Sequence, residues 1–150
     1  MIYRIGALLL FTLLMAGCND KSEDQAEEDR KIIEHYIMEN NLDAEEKEDG
    51  LFIVHVNEGV GASPSLDDNV KLFYKGYLTT GEVFDETKTD TADFPLGSLI
   101  DGWQVGLPYM KEGGSSILLI PSALGYGSRD VGDIPKNSVL VFEIDLIEVH

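Results

Sequence analysis

The 150-residue chain carries 28 acidic against 11 basic side chains, a formal net charge of −17, with 43% hydrophobic residues and one cysteine. That is enough apolar mass for one domain with appendages. So acidic a surface would be repelled by phosphates, which excludes a nucleic-acid partner, and one cysteine rules out a disulfide within the chain.

Arg4 precedes an apolar run from Ile5 to Leu14, followed by Met15, Ala16, Gly17 and Cys18. A short basic start, an apolar stretch and small residues before a cut form a secretory signal pattern, here over residues 1–17. The run is too short for an ordinary membrane-spanning helix. Leu14-Met15-Ala16-Gly17-Cys18 resembles the lipobox of bacterial lipoproteins. The resemblance implies cleavage before Cys18, acylation of Cys18 and an extracytoplasmic domain of the cell envelope held to a membrane by lipid.

Residues 19–50 hold thirteen acidic and four basic side chains, the densest acidity in the chain. From Asn19 to Asp29 no apolar residue exceeds Ala26, so residues 18–28 are expected to form an extended, solvated acidic tether. Helical periodicity starts at Asp29, with Ile32, Ile33, Tyr36 and Ile37 along one stripe, and Asn40-Asn41 closes it. Residues 29–49 therefore read as a helix and linker. The helix has three possible fates: docking on the domain, pairing with a second copy, or receiving a partner. Asp49-Gly50 is a turn signal that opens the domain of residues 50–150.

Leu51-Phe52-Ile53-Val54-His55-Val56 is β-branched and aromatic, a strand signature. Residues 59–69 read as loop. Val70, Leu72 and Tyr74 alternate on one face of the next strand, and Thr80-Gly81 returns the chain into Val83-Phe84-Asp85. Phe94-Pro95-Leu96 is a short extended piece. Residues 99–107 read as a short helix, with Gly102 and Gly106 on one face, clearing space for the sheet, and Trp103 beside them; Pro108 stops it. Gly113-Gly114 turns the chain into Ser116–Ile120, and Leu140, Phe142, Ile144 and Leu146 share one face of the last strand. About five strands, one short helix and no crossover helices predict an α+β domain, a bent antiparallel sheet wrapped around the helix, preceded by a separate N-terminal helix.

The side-chain inventory excludes several chemistries. His35, His55 and His150 are scattered, which argues against a metal site and against a hydrolytic triad. There is no phosphate-cradling loop, and Gly125-Tyr126-Gly127 lacks the strand–helix context of a dinucleotide fingerprint. What remains is a supply of aromatics on inner faces and in loops: Tyr74, Phe84, Phe94, Trp103, Tyr126 and Phe142.

The segments Val-Lys-Leu-Phe-Tyr-Lys-Gly-Tyr-Leu (70–78), Gly-Glu-Val-Phe-Asp (81–85), Phe-Pro-Leu-Gly (94–97) and Leu-Ile-Asp-Gly-Trp (99–103) carry a resemblance, as do Met-Lys-Glu-Gly (110–113), Ile-Pro-Ser-Ala-Leu-Gly-Tyr-Gly (120–127) and Ile-Pro-Lys-Asn-Ser-Val-Leu-Val-Phe (134–142). In order and nearly without gaps, they resemble the FKBP-type peptidyl-prolyl isomerases. The resemblance implies a pocket lined by Tyr74, Phe84, Asp85, Phe94, Leu99, Ile100, Trp103, Tyr126, Ile134 and Phe142. Trp103 would floor the prolyl ring, the Ile100 N–H and Tyr126 hydroxyl would bond peptide carbonyls, and Asp85 would accept from Tyr74 and face the prolyl amide. Tyr74, Asp85 and Tyr126 would be the catalytic set and the others would bind substrate, with no cofactor. Partners would be proline-containing polypeptides folding outside the cytoplasm. Two departures stand at the rim: Ala92 and Asp133 occupy positions where the family often has an aromatic and an apolar residue. They leave open a second reading, a non-catalytic chaperone or assembly factor gripping proline segments. In a third, the domain would anchor partners of the acidic helix.

Overall fold

In the computed structural model, which describes residues 21–150, the first element is helix α1, Lys21–Glu39. The expected signal segment and Cys18 lie outside the described residues. The described helix already runs from Lys21, eight residues before the expected start at Asp29, so most of the segment expected to be an extended tether is helical instead. Composition misled there because it weighs burial and not local pairing. Gln25 donates to Asp29 at 2.7 Å and Lys31 Nζ lies 2.6 Å from Glu27, both four residues apart, and Glu23 and Asp24 stand in the positive first turn. Asn41 adopts φ 51°, the left-handed cap that ends the helix where Asn40-Asn41 was expected to close it.

Seven strands follow: β1 (Glu45–Glu46), β2 (Phe52–Asn57), β3 (Asn69–Leu78), β4 (Val83–Glu86), β5 (Ala92–Pro95), β6 (Ser115–Ile120) and β7 (Leu140–Val149). Helix α2, Asp101–Gly106, lies between β5 and β6. The strands form one antiparallel sheet in the order β1-β2-β6-β7-β3-β4, with β5 paired to the first half of β3. The count roughly matches the expected five or so, with Phe94-Pro95 falling in β5; the two-residue β1, which gains its pairing at a sheet edge, carries no alternation in the sequence.

The sheet is apolar on both faces. Leu118, Ile120, Leu140, Phe142, Ile144 and Leu146 point to the α2 side and join Trp103 and Leu107 in the main core. Phe52, Leu119 and Val141 point the other way and are covered by Ile33 of α1, with Ile32, Tyr36 and Ile37 packed around them. Of the three fates open to the helix, docking is the one observed. Polar contacts fix its azimuth: Tyr36 Oη lies 3.3 Å from Tyr77 Oη, whose own hydroxyl reaches Glu143 Oε1 at 2.8 Å. The Arg30 guanidinium forks the Glu46 carboxylate of β1, which explains how so short a strand is held in place.

The clearance expected of the glycines is present. A Cβ on Gly102 would stand 2.4 Å from Ile120 Cγ2, and one on Gly106 2.7 Å from Leu118 Cδ1. Both partners are fully buried, so neither can step aside freely. On an open helix Gly→Ala gains about 1 kcal/mol. Here the overpacking term should win: Gly102→Ala is expected to lower unfolding free energy by about 1–3 kcal/mol in urea denaturation. A stabilised variant would show that α2 does not approach the sheet this closely. Ile33→Ala should cost about 2–5 kcal/mol in the same measurement if α1 is an integral layer of the fold.

Candidate functional site

At one end of the sheet the edge beside β3 is shared by two strands: β5 pairs with residues 69–72 and β4 with residues 75–77. Tyr74 sits at the seam between them. Its backbone would be left unpaired on that side, but Thr87 closes the gap. Thr87 N–H donates to Tyr74 O at 3.0 Å, and Tyr74 N–H donates to Thr87 Oγ1 at 2.9 Å. The seam is what lets the Tyr74 ring stand over α2 instead of continuing a flat sheet.

The Tyr74 ring meets Trp103 edge-on, with centroids 5.3 Å apart and planes at 83°. Phe142 meets the same indole at 5.2 Å and 87°, and Phe84 packs on Phe142 at 5.5 Å and 79°. Phe94 makes a tilted contact with Tyr74 at 6.4 Å. Edge-to-face pairs of this kind are each worth about 0.5–1.5 kcal/mol beyond burial, so the box is rigid before anything enters it. Gly76 makes the Phe84–Phe142 contact possible: a Cβ there would stand 2.6 Å from both rings.

Leu99, Ile100 and Tyr126 are half-buried against this cluster, and Ile134 is buried in it. The ring contacts bring together Tyr74, Phe84, Phe94, Trp103 and Phe142, Asp85 is attached through Tyr74, and Leu99, Ile100, Tyr126 and Ile134 belong to the same core. The Tyr74 hydroxyl donates to Asp85 Oδ2 at 2.7 Å. Burial first, then this bond and the Asp85 charge, push the Tyr74 phenol well above its usual pKa, so it stays a donor. Beside the ring cluster, the Tyr126 hydroxyl and the backbone N–H of Ile100 have no hydrogen-bond partner among the described residues; the Ile100 carbonyl, at the N-cap of α2, accepts from Trp103 and Gln104 N–H. Trp103 Nε1 is buried with no acceptor, an unsatisfied donor of the kind that costs about 1–3 kcal/mol.

Sequence reasoning missed several supporting residues. Gln104 Nε2 donates to Leu99 O at 2.7 Å and Gly97 O at 3.3 Å, pinning the turn that aims the Ile100 N–H. Thr87 and Gly76 were overlooked as well. A lone glutamine, threonine or glycine carries no signal until the backbone it serves is known. Ala92 of β5 pairs with Leu72 of β3, and Asp133 stands exposed in the turn before Ile134.

Comparison with known proteins identifies the family. The family model for FKBP-type peptidyl-prolyl cis-trans isomerases matches residues 61–147. An FKBP-type isomerase, FkpA, of Aeromonas hydrophila is 36% identical over 134 residues, covering 87% of this chain and 50% of that protein. The 22 kDa FKBP-type isomerase of Escherichia coli K12 is 41% identical over 105 residues, covering 68% of this chain and 51% of its own. The chain thus spans about half the length of these curated relatives. Among solved structures, a peptidyl-prolyl isomerase from Pseudomonas syringae superposes with a TM-score of 0.75 at 32% identity, covering 85% of this chain and 95% of that one. By sequence, by fold and by the ordered set of aromatics around Trp103, this chain belongs to the FKBP-type peptidyl-prolyl cis-trans isomerase family.

Proposed function

We propose that the chain is an active peptidyl-prolyl cis-trans isomerase working on proteins that fold outside the cytoplasm. The observation that carries the reading is the pre-built aromatic box: Trp103 at its base, Tyr74 and Phe142 edge-on, and two uncommitted donors at its edge.

Rotation about an X–Pro bond is opposed by about 18–20 kcal/mol of lost amide resonance. No covalent step or proton transfer is required. At the twisted state the carbonyl is less polar and the nitrogen pyramidal, so a water-poor aromatic pocket favours it over the planar amide. The prolyl ring would rest on Trp103, held by Phe84, Phe94, Leu99, Ile134 and Phe142. The Ile100 N–H and Tyr126 hydroxyl would hold the flanking carbonyls while the acyl side turns. Asp85, its one oxygen engaged by Tyr74, would face the prolyl amide. Each 1.36 kcal/mol of preference gives about tenfold in rate, so a few kcal/mol suffice.

A protease-coupled assay on an X-Pro peptide tests the reading. Tyr126→Phe removes one hydrogen bond and should lower kcat/KM about two- to tenfold without unfolding the chain. Peptide binding with no acceleration by the unmutated protein would leave only the proline-gripping chaperone.

Titration gives a second check. The folded pKa values of Tyr74 and Tyr77 are both raised above the unfolded value, by burial first and then by their hydrogen bonds. Their contribution to stability is therefore fully present below about pH 10 and is lost as pH rises beyond it, where unfolded tyrosines ionise first. Urea unfolding along an alkaline series should show this decline, and Tyr77→Phe should shrink it.

The address is part of the same proposal. Acylation of Cys18 would tie the domain to the outer side of a bacterial membrane. Two acyl chains meet the requirement for stable anchoring. Cys18→Ala should move the protein from the membrane fraction to the soluble one; persistence in the membrane would defeat the lipobox reading.

A further inference from the structure

Asp29 is the only charged side chain buried among the described residues, at 1% exposure. No cationic side chain pairs with it among the described residues. Its Oδ1 accepts from Gln25 Nε2 within α1 at 2.7 Å, and its Oδ2 accepts from the backbone N–H of Ser122 at 2.7 Å. Ser122, itself 2% exposed, begins the 3₁₀ turn Ser122–Leu124 that follows β6. A carboxylate taken this far out of water must be matched by hydrogen bonds, and here one of them crosses 93 positions of sequence.

The far side of the same residue points at the site. The Ser122 carbonyl accepts from Gly125 N–H at 3.0 Å and from Gly127 N–H at 2.8 Å, the two amides that flank Tyr126. Gly127 adopts φ 61°, and its carbonyl accepts from Asn137 N–H at 2.7 Å. A Cβ on Gly125 would lie 2.9 Å from Leu140 Cδ1, so the loop is also pressed against β7. Ser122 is thus a hub: Asp29 holds its donor, and its acceptor holds both neighbours of Tyr126. A groove of about 1000 Å³ opens beside this contact, between the first turns of α1 and residues Ala123 and Ser128.

We propose that Asp29 is a positioning residue of the isomerase site, setting the Tyr126 hydroxyl from the N-terminal helix through Ser122. The proposal deepens the functional reading above and rests on Tyr126 facing substrate. It gives α1 a part in the site, although α1 lies outside the stretch that the family model matches.

The test uses the full chain and a double-mutant cycle. Asp29→Ala should lower kcat/KM on an X-Pro peptide about fivefold, and by less than about twofold when Tyr126→Phe is already present. Equal losses in both backgrounds would overturn the proposal, because a merely structural residue adds independently. Asp29→Asn keeps an oxygen for the Ser122 N–H, and a flip of the Gln25 amide meets the new NH₂. It should retain more than half the activity; a loss as large as that of Asp29→Ala would also count against the proposal.

A readout free of activity separates this inference from the isomerase reading. Amide hydrogen exchange at Gly125 and Gly127 should quicken about tenfold in Asp29→Ala, while β6–β7 ladder amides keep their protection. Unchanged exchange overturns the positioning role. Quickened exchange in a protein that accelerates no peptide would overturn the isomerase reading and leave the helix-to-loop link standing. Should Asp29→Ala fail to fold, Gln25→Ala, which frees one carboxylate oxygen, takes its place in the same measurements with a smaller expected shift in the same direction.

Discussion

The close approach of α2 to the sheet is the constraint on which the rest of the structure depends. Gly102 and Gly106 let the helix backbone settle against Ile120 and Leu118, and that depth decides how far the Trp103 indole reaches toward Tyr74 and Phe142. A helix standing off by one methyl group would lift the indole away from its edge-on partners. Core packing and site geometry are here one quantity, since interiors packed to crystal density pass displacement on without absorbing it.

The same economy appears at the β3 seam. Sharing one edge between β4 and β5 would leave the Tyr74 backbone unsatisfied, and Thr87 restores it. The seam frees the ring to turn inward and places its hydroxyl on Asp85. Rigid aromatics on strands and a short helix hold the apolar walls, while the polar partners come from loops braced at their bases by Gln104 and Ser122. Such an arrangement leaves the Ile100 N–H and the Tyr126 hydroxyl without an internal partner among the described residues.

The N-terminal helix changes the picture of a separate appendage. Ile33 covers the outer apolar face of the sheet, Arg30 and Tyr36 fix its rotation, and Asp29 reaches the loop bearing Tyr126. Both faces of the sheet are therefore covered, one by the layer that carries the site and the other by a layer that touches its support.

Much of this was legible in the sequence, because it rests on local pattern. Alternation at Val70, Leu72 and Tyr74 and at Leu140 through Leu146 marks strands whose faces are unequal. The spacing of Gly102, Trp103 and Gly106 marks a short helix built for close approach, and the ordered motifs around them point to one family and one set of pocket residues. Tertiary structure decided what depends on distant partners. β1 exists because a neighbouring edge supplies its hydrogen bonds. The polar run after Lys21 is helical because its charges pair four residues apart and its continuation finds an apolar sheet to cover. Asp29 looked like one more acid in an acidic stretch. Only the fold brings it to Ser122, since a hydrogen bond across so many residues leaves no periodicity for the sequence to show.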